Sequence, residues 1–435
     1  MKTGIVMVLA QRIWQASSGV VTLILVAHFL TPQLQGWYYS FLSIAALYTL
    51  FDLGLSLVML QFAAHLFVDL RWGDKGAVEG VGRIQFESFV IKIVRHYWLL
   101  ALFFAVLVVP GGYFFFAAQE KINGLEWIKP WLLLSVTTSL TLATIPALAI
   151  VEGSGHINEV YKVRLFQGVV GSISCWVVLL NGGALWSASM PPLASLLVIS
   201  GWILFKRPKT ILFNSKKDQS GLNWKLDIWP LQWKQGLIWL SGYLLTAIYT
   251  PILFHFHGAT VAGQMGLSLT IANMIAFLAQ SWIARHVPIS AHLAIRRDWN
   301  AMDALFRKDL LISLSVIISG CVSVCGLYYL LQYTEYSNRV LPFFPFLGLL
   351  GVASLNFTVG ALATQLRSYK QEPLVWVYVL TSAMSVPCAV WASIYYSVGG
   401  IVLTILCIQL SFSLPVSFKI WKKTNQTWRS QFDTT

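Results

Sequence analysis

Apolar residues in this chain come in long unbroken blocks, not in the stripes of a soluble helix or the alternation of a strand. The blocks cover residues 13–30, 37–61, 97–118, 131–151, 165–181, 187–205, 237–256, 265–284, 310–331, 341–364, 374–396 and 398–418. Most reach the roughly 20 residues that a helix needs to cross a hydrocarbon core about 30 Å thick. A backbone in lipid must satisfy its own hydrogen bonds, so the blocks predict twelve transmembrane helices and an all-α integral membrane fold. The first block is bordered by Gln11 and Arg12 and runs into a turn containing Pro32, which reads as a retained span and not a cleaved signal. With 57% hydrophobic and 11% charged residues, the composition excludes an ordinary soluble globule.

The polar intervals divide the blocks six and six. Residues 206–236 hold seven Lys and Arg and the run from Asn214 to Gly221, and they read as a linker between bundles at 1–205 and 237–418, with a tail at 419–435. Sliding the chain against itself by 227 residues gives 11 identities between residues 28 and 77, among them His28-Phe29 on His255-Phe256, Ala64-His65-Leu66 on Ala291-His292-Leu293, and Trp72 on Trp299. Six spans is an even number, so both copies enter the bilayer in one direction. The expectation is two six-helix bundles related by a parallel pseudo-two-fold repeat, with a substrate path between them.

Charge then sets the orientation. With both ends inside, the inner segments carry 27 of the 30 basic residues, leaving Lys121, Lys129 and Arg339 outside. Cationic loops stay on the cytoplasmic face, so a multi-pass membrane protein with cytoplasmic termini is expected. The net charge of +13 is then a topology signal and an attraction to anionic lipids, not a nucleic-acid footprint. Each second span is followed by a polar segment, 62–96 and 285–309. In the later one Ile295, Trp299, Met302 and Phe306 recur at helical spacing among charges, which predicts an amphipathic helix on the cytoplasmic surface.

Asp52 is the one acid within a block. A carboxylate there costs on the order of 3 kcal/mol to insert and normally has a partner. If the first two spans form a hairpin turning near residue 33, Asp52 comes level with residue 14, within reach of Arg12 and Gln15. Two readings stand: an ion or proton site coupled to transport, or a fixed clamp. Folding the next hairpin near residue 260 brings Lys234 level with Arg285, and with Arg12 these cations could ring an inward-facing mouth that receives a phosphate or pyrophosphate. Ordinary helix-end cations explain the same residues. His28 and His255, repeat-related at the outer ends of their spans, are gate candidates or interfacial anchors. Trp37, Tyr38 and Tyr39 could stack on sugars or belong to an aromatic belt. Asn273 and Asn356 suit hydrogen bonds between helices or a cavity lining.

Several chemistries find no residues. Cys321 and Cys325 stand one turn apart, but no His or acid of that block joins them, so neither a metal site nor a disulfide framework is expected. Gly-Lys never occurs, so the chain has no phosphate loop of the Walker type. The longest outer segment, 119–130, is too short to hold the machinery of a glycosyltransferase. No cofactor is expected beyond a proton or sodium gradient.

The run Phe29-Leu30-Thr31-Pro32-Gln33-Leu34-Gln35-Gly36-Trp37-Tyr38-Tyr39, followed by Leu50-Phe51-Asp52-Leu53-Gly54-Leu55, resembles the O-antigen and polysaccharide flippases (Wzx-like) of the multidrug/oligosaccharidyl-lipid/polysaccharide exporter superfamily. The run from Ile150 to His156, with Arg164 after it, is similar to what that family carries after its fourth span. The resemblance implies a non-enzymatic transporter. Its cargo is an oligosaccharide on undecaprenyl diphosphate, flipped from cytoplasmic to periplasmic leaflet by ion-driven alternating access through a cationic cavity. Asp52 matches an acidic position that recurs in these relatives, and related lipid II flippases usually carry more spans than are drawn here. A polysaccharide polymerase and a chain-length regulator join the expected partners. The alternatives are a multidrug or metabolite antiporter of the same superfamily and a membrane polymerase or glycosyltransferase.

Overall fold

The computed structural model describes residues 2–119, 126–207, 224–285, 287–367 and 372–433. It divides into two compact units, Met1–Leu240 and Ser241–Thr435. The division falls within a helix. Of the predicted linker, residues 208–223 lie outside the described part, as does Lys121.

Unit 1 contains α1 (Lys2–Phe29), α2 (Pro32–Ala45), α3 (Tyr48–Asp52), α4 (Leu55–Leu66), a hairpin of β1 (Leu70–Trp72) and β2 (Val78–Gly80), α5 (Arg83–Ala117), α6 (Ile128–Gly153), α7 (Ile157–Leu180), α8 (Met190–Lys206) and the first turns of α9 (Trp229–Thr246). Unit 2 holds the rest of α9, α10 (Tyr249–His257), α11 (Ala259–Arg285), α12 (Val287–Ile295), α13 (Trp299–Leu331), α14 (Phe343–Arg367), α15 (Val375–Ile408) and α16 (Leu414–Asp433). Among the described residues, ten helical stretches are long and apolar enough to cross a membrane. The last spans Val375–Ser430 and contains both blocks drawn as 374–396 and 398–418. Ser397 breaks it between them, with φ 55° and ψ −148°. Helix α1 is not among the ten.

Helix α5 shows how the sequence meets two solvents. Ile93, Tyr97, Ala101, Phe104 and Val108 recur at helical spacing and are buried, while Leu99, Leu102, Phe103 and Val106 are exposed on the other side. Both faces are apolar, as expected where lipid replaces water. Hydroxyls tie neighbouring helices together: Ser139 donates to Ala101 O at 2.7 Å and Thr141 to Pro192 O at 3.0 Å, while in unit 2 Ser313 donates to Ala279 O at 3.0 Å. Asn356 accepts from Gln409 at 2.7 Å and so serves as interhelical glue, whereas Asn273 is exposed.

Each unit is built around its fourth long helix. In unit 1, α6 packs against α4, α5 and α8, and α1 lies along α7. In unit 2, α14 packs against α11, α13 and α16, and α10 lies along α15. The packing around that fourth helix is alike in both, but α10 also packs on α11, whereas α1 makes only slight contact with α2. In unit 1 the first and second spans therefore do not pack along their length as the hairpin expected from the sequence, whereas in unit 2 α10 packs on α11 as that hairpin predicts.

Two further expectations are corrected. Residues 299–309 are the opening turns of the long helix α13, with Met302 fully buried, and only α12 remains as a separate short helix. Arg297, at φ 60°, makes the break between them. The matching stretch of unit 1 holds the β-hairpin instead. Trp37, Tyr38 and Tyr39 are neither belt nor sugar platform, because they are 1%, 4% and 8% exposed. Trp37 stacks on Phe116 at 5.4 Å, and Phe41, Trp127 and Trp131 complete a buried aromatic core.

Gly112 lets the Trp131 ring lie against the backbone of α5, where a Cβ would overlap the indole. Gly112→Leu is expected to overpack this core and destabilise the protein by about 1–3 kcal/mol or more. A lowered thermal midpoint of the purified protein would show it.

Candidate functional site

The second span is broken at the sequence that carries its acid. Helix α3 ends at Asp52, and the next two residues are left-handed, Leu53 at φ 47° and Gly54 at φ 69°. A leucine in that region costs roughly 1–2 kcal/mol, and such local strain is retained where surrounding structure holds it. The counterpart in unit 2, α11, runs unbroken from Ala259 to Arg285. The distortion belongs to unit 1 alone, like the acid itself.

Asp52 is 8% exposed, and the groups that face it are neutral donors. Tyr97 of α5 donates its hydroxyl to Oδ1 at 2.6 Å, and Ser56, one turn on, donates to Oδ2 at 2.9 Å. Short hydroxyl-to-carboxylate bonds are among the stronger ones, and they hold the acid in one rotamer. The expected pairing with Arg12 and Gln15 is not made. Helix α1 is drawn to α7, where Trp14 donates to Ser172 at 3.1 Å and Trp176 donates to Thr22 at 2.8 Å. Arg12 is exposed, and Gln15 accepts from Gln11 at 3.3 Å.

The first turns of α9 close over the break. A Cβ on Gly54 would sit 2.9 Å from Gln235 Cβ and 3.1 Å from Trp239 Nε1, and one on Gly236 would sit 2.9 Å from Leu53 Cδ2. Lys234, adjacent to Gln235, is exposed with its ammonium 5.8 Å from the Trp233 ring. The structure thus carries Lys234 to the same helical junction as Asp52. Arg285 ends α11, and its side chain lies outside the described residues. His28 and His255 are both exposed, and each meets the following phenylalanine edge-on, at 4.7 Å and 4.9 Å with the same 85° angle.

One end of unit 1 carries a cluster that residue spacing did not reveal. Glu152 accepts from Arg164 at 2.7 Å across the turn between α6 and α7. Glu159 accepts from Arg207 at 2.6 Å and from Trp202 at 2.9 Å. The Arg207 guanidinium lies 4.4 Å from the centre of the Trp72 ring, and Trp72 donates to Ser154 at 2.8 Å. Unit 2 repeats the device: Arg429 stands 5.8 Å from the Trp299 ring and donates to Asp303 at 2.6 Å. The one signal in the sequence was the match of Trp72 with Trp299. A second carboxylate was also missed. Asp309 is 2% exposed within α13, one residue outside the block drawn from hydropathy.

No family model matches the sequence, and no curated protein matches it. Solved structures do. An outward-facing multidrug resistance MATE family transporter of the MOP superfamily is similar with a TM-score of 0.61 at 10% identity, over 99% of this chain and 96% of that one. A MOP superfamily transporter from Pyrococcus furiosus gives 0.57 at 12%, over 98% and 95%. The lipid II flippase MurJ in an inward closed conformation gives 0.59 at 13%, over 98% and 90%. At such identities the likeness is one of fold, and it covers nearly the whole of every chain. This protein has the fold of MOP superfamily transporters.

Proposed function

We propose that this protein is a transporter that flips an oligosaccharide linked to undecaprenyl diphosphate from the cytoplasmic to the periplasmic leaflet. Two six-helix bundles, related as a parallel repeat, expose the path to each side in turn. The observation that carries this reading is the coincidence of the flippase-like motif with the distorted part of the fold. Residues 50–55 resemble the polysaccharide flippases, and the same residues hold a buried acid on a broken helix against α9. The similar packing around the fourth long helix of each unit and the paired tryptophan–arginine contacts support the repeat. The fold gives non-enzymatic transport a template, since the proteins that share it include a lipid II flippase.

In this mechanism Arg12, Lys234 and Arg285 receive the pyrophosphate at the inner mouth, and Gln15 adds a neutral donor. Asp52 exchanges a proton or a sodium ion as the bundles change facing state. The cargo must bind the two states unequally, or it could not drive the exchange. His28 and His255 act as gate residues at the outer ends. Lys234→Gln removes one charge-assisted contact of about 1.5–3 kcal/mol, and so is expected to raise the cargo concentration for half-maximal flipping about tenfold or more. Flipping into proteoliposomes measures it.

A multidrug or metabolite antiporter is the second reading, favoured by the structural likeness to multidrug resistance MATE transporters. A deletion strain decides between them. Lipid-linked units stranded on the cytoplasmic side support flipping, whereas lost drug efflux with unchanged surface polysaccharide supports the antiporter.

A further inference from the structure

Two helices of unit 2 change character at the same level. On α13 the exposed face carries Ile318 and Leu311, 62% and 59% exposed, and one turn before Leu311 it carries Arg307. On α16 the exposed face carries Phe418, 53% exposed, and one turn later Lys422. The helices run antiparallel here, with Trp421 packed on Phe306 at 6.2 Å and Arg429 donating to Asp303 at 2.6 Å. Those contacts bring Arg307 and Lys308 of α13 level with Lys419, Lys422 and Lys423 of α16. The apolar blocks of both helices end at this level, one at residue 310 and the other at residue 418.

All five cations are exposed. Ser417, Trp421, Asn425 and Trp428 recur at helical spacing as the packing face of α16, with both tryptophans on the cluster that holds Leu362 and Leu366. At about 100° of rotation per residue, positions 419, 422 and 423 fall on the opposite side. The acids of this end are engaged elsewhere: Asp303 with Arg429, Glu372 with Arg367 at 3.1 Å, and Asp298 in capping α13. Asp309 is turned inward, at 2% exposure. Among the described residues, no acid forms an ion pair with any of the five.

We propose that this cationic belt binds the headgroups of anionic phospholipids, whose acyl chains cover the apolar faces beside it. Lysine and arginine stems lie along apolar surface while their charged ends reach the phosphates. Five cations clustered at a membrane border have the composition of an anionic-lipid site. From Lys419 to Lys423 the helix advances about 6 Å, roughly the depth of one headgroup layer. A zwitterionic headgroup brings no net charge to offset the belt.

The full chain in nanodiscs of mixed phosphatidylglycerol and phosphatidylcholine tests this, with tightly retained lipid counted by native mass spectrometry. The wild type is expected to retain phosphatidylglycerol in preference to phosphatidylcholine. Lys422→Gln alone should lower that preference about fivefold, the effect of one cation near a lipid surface. Lys419→Gln, Lys422→Gln and Lys423→Gln together should lower it further, whereas arginine at the same three positions should keep it. Arg307→Gln with Lys308→Gln should lower it from the other helix, and decides alone should the α16 variant fail to fold. Lys75→Gln, Arg95→Gln and Lys162→Gln together remove as much charge from exposed sites of unit 1 and should leave the preference in place. No preference in the wild type, or an equal fall in both triple variants, would overturn the proposal. So would an undiminished preference in the α16 triple variant, which would leave the belt to an acidic soluble partner.

Discussion

Asp52→Asn is expected to reduce export of the surface polysaccharide to background while the protein still reaches the membrane. Asparagine keeps the shape of the side chain and its hydrogen-bonding capacity, so Tyr97 and Ser56 can reorient their hydroxyls around it. The cost to stability should be about 1 kcal/mol, that of a rearranged buried hydrogen bond. What asparagine cannot do is gain or lose a charge, and under ion coupling that exchange links the two facing states. Tyr97→Phe provides a graded comparison. It deletes a bond worth about 1.5–3 kcal/mol to a charged carboxylate, and so should slow export without ending it. The measurement is complementation of a deletion strain, with membrane protein quantified alongside. Full complementation by Asp52→Asn would leave the acid with the role of a clamp.

The distinction matters because the sequence suggested both roles through a partner that is not there. Hydropathy locates most spans, since most of the apolar blocks are long enough for length alone to decide. It says nothing about which spans touch. The hairpin assumption placed Arg12 beside Asp52, yet Trp14 and Trp176 draw α1 onto α7 and leave the acid to Tyr97, 45 residues further on. The charge cluster at the end of unit 1 was hidden for the same reason. Glu159, Arg207 and Trp72 are separated in sequence and meet only when the hairpin folds back onto the end of α8. That hairpin has strands of three residues, too short for alternation to register. Asp309 was missed by one position, because the block began where charges stopped and the helix began earlier, at Trp299. The break itself was also missed, since 37–61 was drawn as one span, although Asp52-Leu53-Gly54 places a glycine, which tolerates left-handed backbone, two residues after the acid.

That glycine gives the second large effect. Gly54 combines φ 69° with close approach to α9, and the two demands can be separated by substitution. Gly54→Ala meets both: about 1–2 kcal/mol for a left-handed alanine, and about 1–3 kcal/mol for a Cβ pressed on Gln235 Cβ. Adding Gln235→Gly removes the second contribution and not the first, apart from the cost of about 1 kcal/mol for glycine in a helix. A double-mutant cycle on the thermal midpoint should therefore return a coupling of about 1 kcal/mol or more between residues 54 and 235. Gly54→Asn should be milder than Gly54→Val, since asparagine tolerates the left-handed region and a β-branched residue does not. Export should fall in the same order as stability if the junction is merely packed. It should fall further than stability if α9 has to slide over the break during transport, because a Cβ at residue 54 would then obstruct every position along the slide. Additive effects at 54 and 235 would mean that α9 does not bear on the break, and Lys234 would lose its connection to Asp52.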